Sequence, residues 1–341
     1  MTRKKYSTKK IWLVTASVIC LFLAWVLYAF KYASNYPPYI TLAAPDNFWG
    51  VTYSKRFASF LNVGWKENYL AILNDLGAKN IRLPIYWQDV EPREGEFDFK
   101  EYDWMLEEGA KKNAKFIIVI GRRLPRWPEC HVPDWGKDLE ENELRPKIKN
   151  LLTTIVARYK DRKEIIAWQV ENEPLLDSFG VCPPSDETWL KEEVALVKSL
   201  DSRPILITAS GELSSWRRET KAGDLFGTTL YRVVWSPTMG YLRWWLPDWF
   251  YRAKLEQTGK PLNKSIIVEL QAEPWAPNSS LENLPFKEAE KSLDIKQFRA
   301  NLQYAINTGF KQSYLWGVEW WYMQKIRGNP EFWDEAKKLN W

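Results

Sequence analysis

Short apolar runs alternate with amphipathic stretches along most of this chain. The run Ile165-Ile166-Ala167-Trp168-Gln169-Val170 is closed by Glu171-Asn172-Glu173-Pro174. A short apolar segment stopped by proline has the pattern of a buried parallel strand. Similar runs predict strands over Asn47–Tyr53, Asn80–Pro84, Lys115–Ile120, Pro204–Ala209, Leu225–Tyr231, Ser265–Leu270 and Gln312–Val318. Between them lie helical patterns. Trp65–Leu76 repeats Tyr69, Ile72, Leu73 and Leu76 before a stop at Gly77. Further helices are predicted over Glu101–Lys112, Glu140–Tyr159, Asp186–Leu200, Asp294–Asn307 and Pro330–Leu339, with a Trp-rich loop and helix over Trp244–Gln257. Strand and helix alternate with no second composition zone and no internal repeat. The expected architecture is a single (β/α)8 TIM barrel over residues 47–341.

The amino terminus breaks this pattern. Residues 11–30 are uncharged and mostly apolar, long enough for the roughly 20 residues that span a bilayer core. Arg3, Lys4, Lys5, Lys9 and Lys10 precede the segment, and only Lys31 follows closely. The positive-inside bias then leaves 1–10 as a cytoplasmic tail, 11–30 as a transmembrane signal anchor and 31–46 as a tether, with the barrel on the extracytoplasmic side. The rival is a cleaved signal peptide, but the apolar run is long for one and lacks a small-x-small cleavage site.

Composition narrows the chemistry. Lys and Arg are scattered outside the basic tail, which argues against nucleic acid as a partner. One histidine and three cysteines form no zinc-type spacing. No Gly-rich phosphate loop or nucleophile elbow is present, and no cofactor is called for. The 21 tryptophans exceed what core packing accounts for, and aromatic faces stack on the apolar faces of sugars.

A barrel gathers its strand ends into one pocket. Here they supply Arg82, the loop Gly121–His131, Asn172, Glu173, Tyr231, Glu269 and Trp316. Glutamates on the fourth and seventh strands would face each other across the mouth. Paired carboxylates are what glycoside cleavage needs, one to protonate the leaving oxygen and one to attack or to activate water. Arg82 beside the second would keep it ionised, and the Tyr231 hydroxyl would orient it. Glu269 directly follows three apolar residues and so should cap its strand. Glu273, four residues on before Pro274, is the alternative nucleophile. Glu171 shares the parity of Glu173 but lies deeper, where a structural charge pairing suits it. Glu319, with Trp320 and Trp321, would extend the eighth strand and bind either a sugar hydroxyl or a neighbouring cation. His131 is either a packing or surface residue or a contact to a substrate hydroxyl.

The segment Trp168-Gln169-Val170-Glu171-Asn172-Glu173-Pro174 resembles the acid/base motif of the clan A glycoside hydrolases, which include the cellulase and mannanase family and the barrel β-galactosidases. Ile81-Arg82-Leu83-Pro84 resembles the arginine-bearing end of their second strand. Trp87-Gln88-Asp89-Val90-Glu91-Pro92 with Gly95-Glu96-Phe97-Asp98-Phe99 resembles the loop and helix that follow. Tyr231 resembles their sixth-strand tyrosine, Ile266-Ile267-Val268-Glu269 the nucleophile strand, and Tyr314-Leu315-Trp316-Gly317 the eighth strand with its sugar-platform tryptophan. The resemblance covers about residues 47–339. It implies retaining hydrolysis of a β-linked poly- or oligosaccharide, with Glu173 as acid/base and Glu269 as nucleophile, and with Arg82, His131, Asn172, Tyr231, Trp316 and Glu319 as substrate-binding candidates. The cellulase family usually carries several pocket histidines; this chain has one. A non-catalytic carbohydrate-binding barrel at the cell surface and a transglycosylase of envelope glycans remain the alternatives.

One further expectation comes from topology. Cys130 and Cys182 lie in the loops after the third and fourth strands, which a barrel places side by side. An oxidising exterior would then permit a Cys130–Cys182 bridge.

Overall fold

The computed structural model describes residues 8–35, 44–277 and 280–341, without the side chains at 8–11, 14, 26 and 28–35. Eight parallel strands close into a barrel, in chain order Trp49–Thr52, Asn80–Pro84, Lys115–Ile120, Ile165–Val170, Ile205–Ala209, Leu225–Leu230, Ser265–Gln271 and Ser313–Trp316. Consecutive strands pair, and the first closes on the eighth with Thr52 opposite Trp316. Thr52 also pairs with Arg82, so these three residues stand at one level of the barrel mouth.

The period-two alternation of each strand divides its side chains between two cores. Ile81, Leu83, Phe116, Ile118, Ile120, Trp168, Ile205, Ile207 and Ile267 pack outward against the helices. Ile117, Ala167, Leu206, Ile266, Val268 and Tyr314 form a separate apolar layer inside the barrel. The helix Glu141–Tyr159 opens with a capping box between Glu140 and Glu143 and buries Leu151, Leu152 and Ile155 in the outer core. Truncating one of those leucines to alanine should cost about 2–5 kcal/mol.

The seventh strand departs from alternation where the chemistry is expected. Both of its neighbours shift register across Val268, between Ile267 and Glu269 on one side and between Ile267 and Leu270 on the other. Such a bulge re-aims the following side chain. Strict alternation would turn Glu269 outward with Ile267; the bulge turns it inward, and Leu270 resumes the outer face. It also exposes the Val268 carbonyl to the barrel interior, where Thr52 Oγ1 donates to it at 3.0 Å.

Several expectations need correction. The eighth strand stops at Trp316, and Val318–Ile326 is a helix, so Glu319, Trp320 and Trp321 lie on a helical turn. Gly317 makes the break: it holds φ +130°, and a Cβ there would lie 2.5 Å from the Glu273 Cβ. The sixth strand ends at Leu230, one residue before Tyr231, and an unpredicted hairpin follows, Val233–Ser236 with Gly240–Arg243. Residues 8–35 form one helix, Thr8–Asn35. Among the described residues, however, no helix is long and apolar enough to cross a membrane. The basic residues Arg3, Lys4 and Lys5, and the tether over 36–43, lie outside the described residues.

Candidate functional site

Arg82 is the hub of the mouth. It points inward from the second strand, is fully buried, and commits each guanidinium nitrogen to a different element. Its Nε donates to Gln169 Oε1 at 2.7 Å, its Nη2 to Asn172 Oδ1 at 2.7 Å, and its Nη1 to Glu269 Oε1 at 2.9 Å. The other oxygen of Glu269 accepts from the Tyr231 hydroxyl at 2.8 Å. Tyr231 is steadied in turn, since its N–H donates to Glu212, which also accepts from the Tyr251 hydroxyl at 2.6 Å. The cation and the tyrosine read from sequence are thus both on Glu269.

Glu173 has a contrasting environment. The chain turns sharply after Val170, with Glu171 at φ +57° and Glu173 at φ +44°. Non-glycine residues hold such angles only where surroundings over-determine them. Here Glu171 accepts from the N–H groups of Arg122 and Arg123, and the Glu173 N–H donates to Thr208 Oγ1 at 2.8 Å. Among the described residues, the Glu173 carboxyl accepts only from Thr229 Oγ1, at 3.3 Å. Burial pushes its pKa well above the ordinary carboxyl range, and the charge of Glu269 adds to the shift. The shift favours the protonated form of Glu173.

The remaining candidates gather in a second cluster. Arg126, in the loop after the third strand, binds both Glu273 and Glu319, the latter at 2.9 Å. Glu319 also accepts from the Ser54 N–H at 2.6 Å. The Arg126 guanidinium lies 3.9 Å from the Trp316 ring centroid and 3.5 Å from that of Phe57. The indole expected under a sugar thus carries a cation on one face. His131 is buried, not at the surface: its Nε2 meets the Arg126 carbonyl at 3.0 Å, and its ring packs edge-on against Tyr86. Burial pushes its pKa down to about 4, so it is neutral at physiological pH. Cys130 and Cys182 are disulfide-bonded with Cα atoms 5.4 Å apart, which ties this loop to the one after the fourth strand.

Four groups at the mouth went unread in the sequence. Thr208 and Thr229 sit at strand ends with no motif to mark them. Glu212 and Glu129 lie in loops, and only the folded chain brings them to the mouth. Among the described residues, no group of three or more His, Cys, Asp or Glu could hold a metal ion.

Comparison with known proteins agrees with this fold. Glycosyl hydrolase family 10 matches residues 62–189. β-Galactosidase BgaA of Clostridium cellulovorans is 25% identical over 178 residues, covering 46% of this chain and 27% of its own length. Endo-1,4-β-xylanase A of Halalkalibacterium halodurans is 28% identical over 120 residues, covering 32% of this chain and 29% of its own. The chain thus matches less than a third of the length of these curated relatives. Xylanase 10B of Thermotoga petrophila has the same fold, with a TM-score of 0.53 at 14% identity over 84% of each chain. Fold and site together define a (β/α)8 barrel with buried carboxyls gathered at its mouth. The family model, the curated relatives and the shared fold all point to the clan A glycoside hydrolases.

Proposed function

We propose that this barrel hydrolyses the O-glycosidic bonds of a β-linked glycan with retention, by double displacement through Glu269 and Glu173. The observation that carries the reading is the divergence of the two carboxyls. Glu269 is held by Arg82 and Tyr231, whereas burial and like charge raise the pKa of Glu173. Contrasting surroundings of this kind support Glu173 as the acid and Glu269 as the nucleophile. In the first step a Glu269 oxygen bonds to the anomeric carbon as the bond to the leaving oxygen breaks, and Glu173 gives that oxygen its proton. In the second, water attacks the same carbon, Glu173 takes the water's proton, and Glu269 departs as carboxylate. This route calls for carboxyls about 5–5.5 Å apart.

The exposed ring of Trp127 supports a carbohydrate substrate. It begins an aromatic path through Phe179 and Trp275 to Tyr231, with successive centroids 5.9, 6.1 and 5.5 Å apart. The test is a panel of aryl β-glycosides and β-glycans, with mass spectrometry of the enzyme trapped by a slowly turned-over fluoroglycoside. A sugar adduct on Glu269 is the expected result. An adduct on Glu273 reassigns the nucleophile, and sugar binding without turnover of any panel member favours the non-catalytic alternative. A product larger than the substrate would favour the transglycosylase.

We also propose that residues 11–30 anchor the barrel outside the cytoplasmic membrane, on the strength of the uncharged apolar run and its basic flank. Membrane pelleting that survives alkaline carbonate is expected of the full chain; release into the supernatant counts against an anchor.

A further inference from the structure

The loop after the third strand brings to the mouth a carboxyl that two-glutamate hydrolysis does not use. Glu129 is 4% exposed, and its Oε2 accepts from Asn172 Nδ2 at 3.2 Å. Asn172 directly precedes Glu173, and its Oδ1 is held by Arg82, which also holds Glu269. Glu129 thus joins the polar network that positions both proposed catalytic groups. Among the described residues no donor meets its Oε1, and that oxygen is not sealed inside the protein.

The position is built by the loop rather than reached by a mobile side chain. Glu129 holds φ +72°, with its N–H on the Arg126 carbonyl and its carbonyl accepting from the Leu124 N–H, each at 2.8 Å. Its neighbour Cys130 is bonded to Cys182. Gly180, at φ +89°, lies so close that a Cβ there would be 2.8 Å from the Glu129 Cβ.

Among the described residues, no cation bonds to this carboxyl. Arg82 is committed to Gln169, Glu269 and Asn172, and Arg126 to Glu273 and Glu319. Arg123 donates to the carbonyls of Leu176 and Phe179. Burial, with the charge of Glu269, pushes Glu129 up to about 8, so it keeps its proton at neutral pH while the mouth is empty. Such a group discriminates by charge. A sugar hydroxyl would gain an ordinary hydrogen bond, whereas an ammonium would gain a charge-assisted pair.

Resting on the hydrolase reading above, we infer that Glu129 selects the sugar at the reacting position, and that this sugar carries a free amino group beside the contact made by Asn172. The substrate is then a β-linked amino sugar without its N-acyl group. On binding, the amine enters as ammonium and Glu129 releases its proton to solvent. An N-acyl group would remove the charge that Glu129 recognises.

The experiment compares kcat/KM of the full chain on matched aryl β-glycosides with a 2-amino, a 2-hydroxyl or a 2-acetamido group, in the gluco and galacto series. The wild type should favour the amine over the hydroxyl by about tenfold or more, and Glu129→Gln should bring that ratio to about one or below. A wild-type preference for the hydroxyl or acetamido sugar, or a ratio unmoved by Glu129→Gln, overturns the inference while leaving the hydrolase reading intact. If no glycoside is turned over, the hydrolase reading fails, and calorimetry with methyl β-glycosides decides the inference separately. Binding of the amine in preference to the alcohol, lost in Glu129→Gln, supports it; equal or absent amine binding overturns it.

Discussion

Two buried arginines hold glutamates of the seventh-strand region, and they are built in opposite ways. Arg82 projects from a strand, and its partner Glu269 is presented by a bulge in another strand. Each Glu269 oxygen has its own donor, Arg82 or Tyr231. Arg126 projects from a loop at φ +85° and is shared between Glu273 and Glu319. Among the described residues, one Glu273 oxygen is buried with no hydrogen bond of normal geometry. Burial raises the pKa of both glutamates, with Arg126 only partly opposing it. The first arrangement fixes a carboxylate on rigid elements, as a reacting group needs. The second uses carboxyls to fix an arginine, and with it the loop that lies against Trp316.

The contrast breaks if the wrong glutamate proves essential. Glu269→Gln should lower kcat on every substrate by on the order of 10⁴–10⁶-fold, the scale of losing a covalent nucleophile. Glu273→Gln should cost far less, because Arg126 keeps Glu319. Steady-state kinetics on one good substrate decides it, and the reverse order of losses would move the nucleophile to Glu273.

Glu173→Gln sharpens the same contrast with a smaller effect. Removing the acid should slow glycosides with poor leaving groups by about 10²–10⁴-fold. A nitrophenolate departs without help, so its glycosides should lose much less in the glycosylation step. Equal losses across a leaving-group series would contradict Glu173 as the acid.

The two clusters also differ in how much of them the sequence discloses. Arg82, Glu173, Tyr231 and Glu269 lie on or next to strands whose apolar runs announce them, so period and strand ends sufficed to bring them together. Even there, alternation alone would have turned Glu269 outward, since the bulge at Val268 has no signal in a single sequence. The break at Gly317 was missed because the apolar run continues through Val318 and Trp320, and a period of two or 3.6 fits so short a stretch. Arg126 and Glu129 were illegible for another reason. Their places depend on a tight loop held by the Cys130–Cys182 bridge and by Gly180, and pairings of this range leave no local pattern. The bridge itself was foreseeable only because strand order predicts which loops are neighbours.

Removing the arginines separates the clusters by stability. Arg82→Met strips Glu269 of its ion pair and takes a donor from both Gln169 and Asn172. Breaking a buried pair from one side should cost about 3–5 kcal/mol. Arg126→Met should cost less at pH 6, about 1–3 kcal/mol, because burial raises both carboxyls, Glu319 to about 7, toward the neutral form that tolerates loss of the cation. Urea midpoints at constant slope measure both; equal losses would erase the distinction between the two clusters.

The smallest effect expected is a change in how stability follows pH. Burial, against the pull of Arg126, holds Glu319 at about 7 in the folded chain, above the ordinary 4.5. Between those values the folded state keeps a proton that the unfolded state has released. The contribution is therefore fully present below about pH 4.5 and is lost as pH rises through about 7, with an upper limit of about 3 kcal/mol. Glu319→Gln cannot release a proton, so its stability should decline less steeply across that window. Some slope should remain, because Glu212, held at about 7 mainly by burial, acts in the same direction. Glu269→Gln is the control: it lies outside the Arg126 cluster and should keep the Glu319 share of the slope. Urea titrations at half-unit pH steps give the comparison, and parallel wild-type and Glu319→Gln curves would mean that Arg126 already holds Glu319 as a carboxylate. The Arg126 cluster would then be an ordinary ion-pair network, and its difference from the Arg82 cluster would lie in geometry alone.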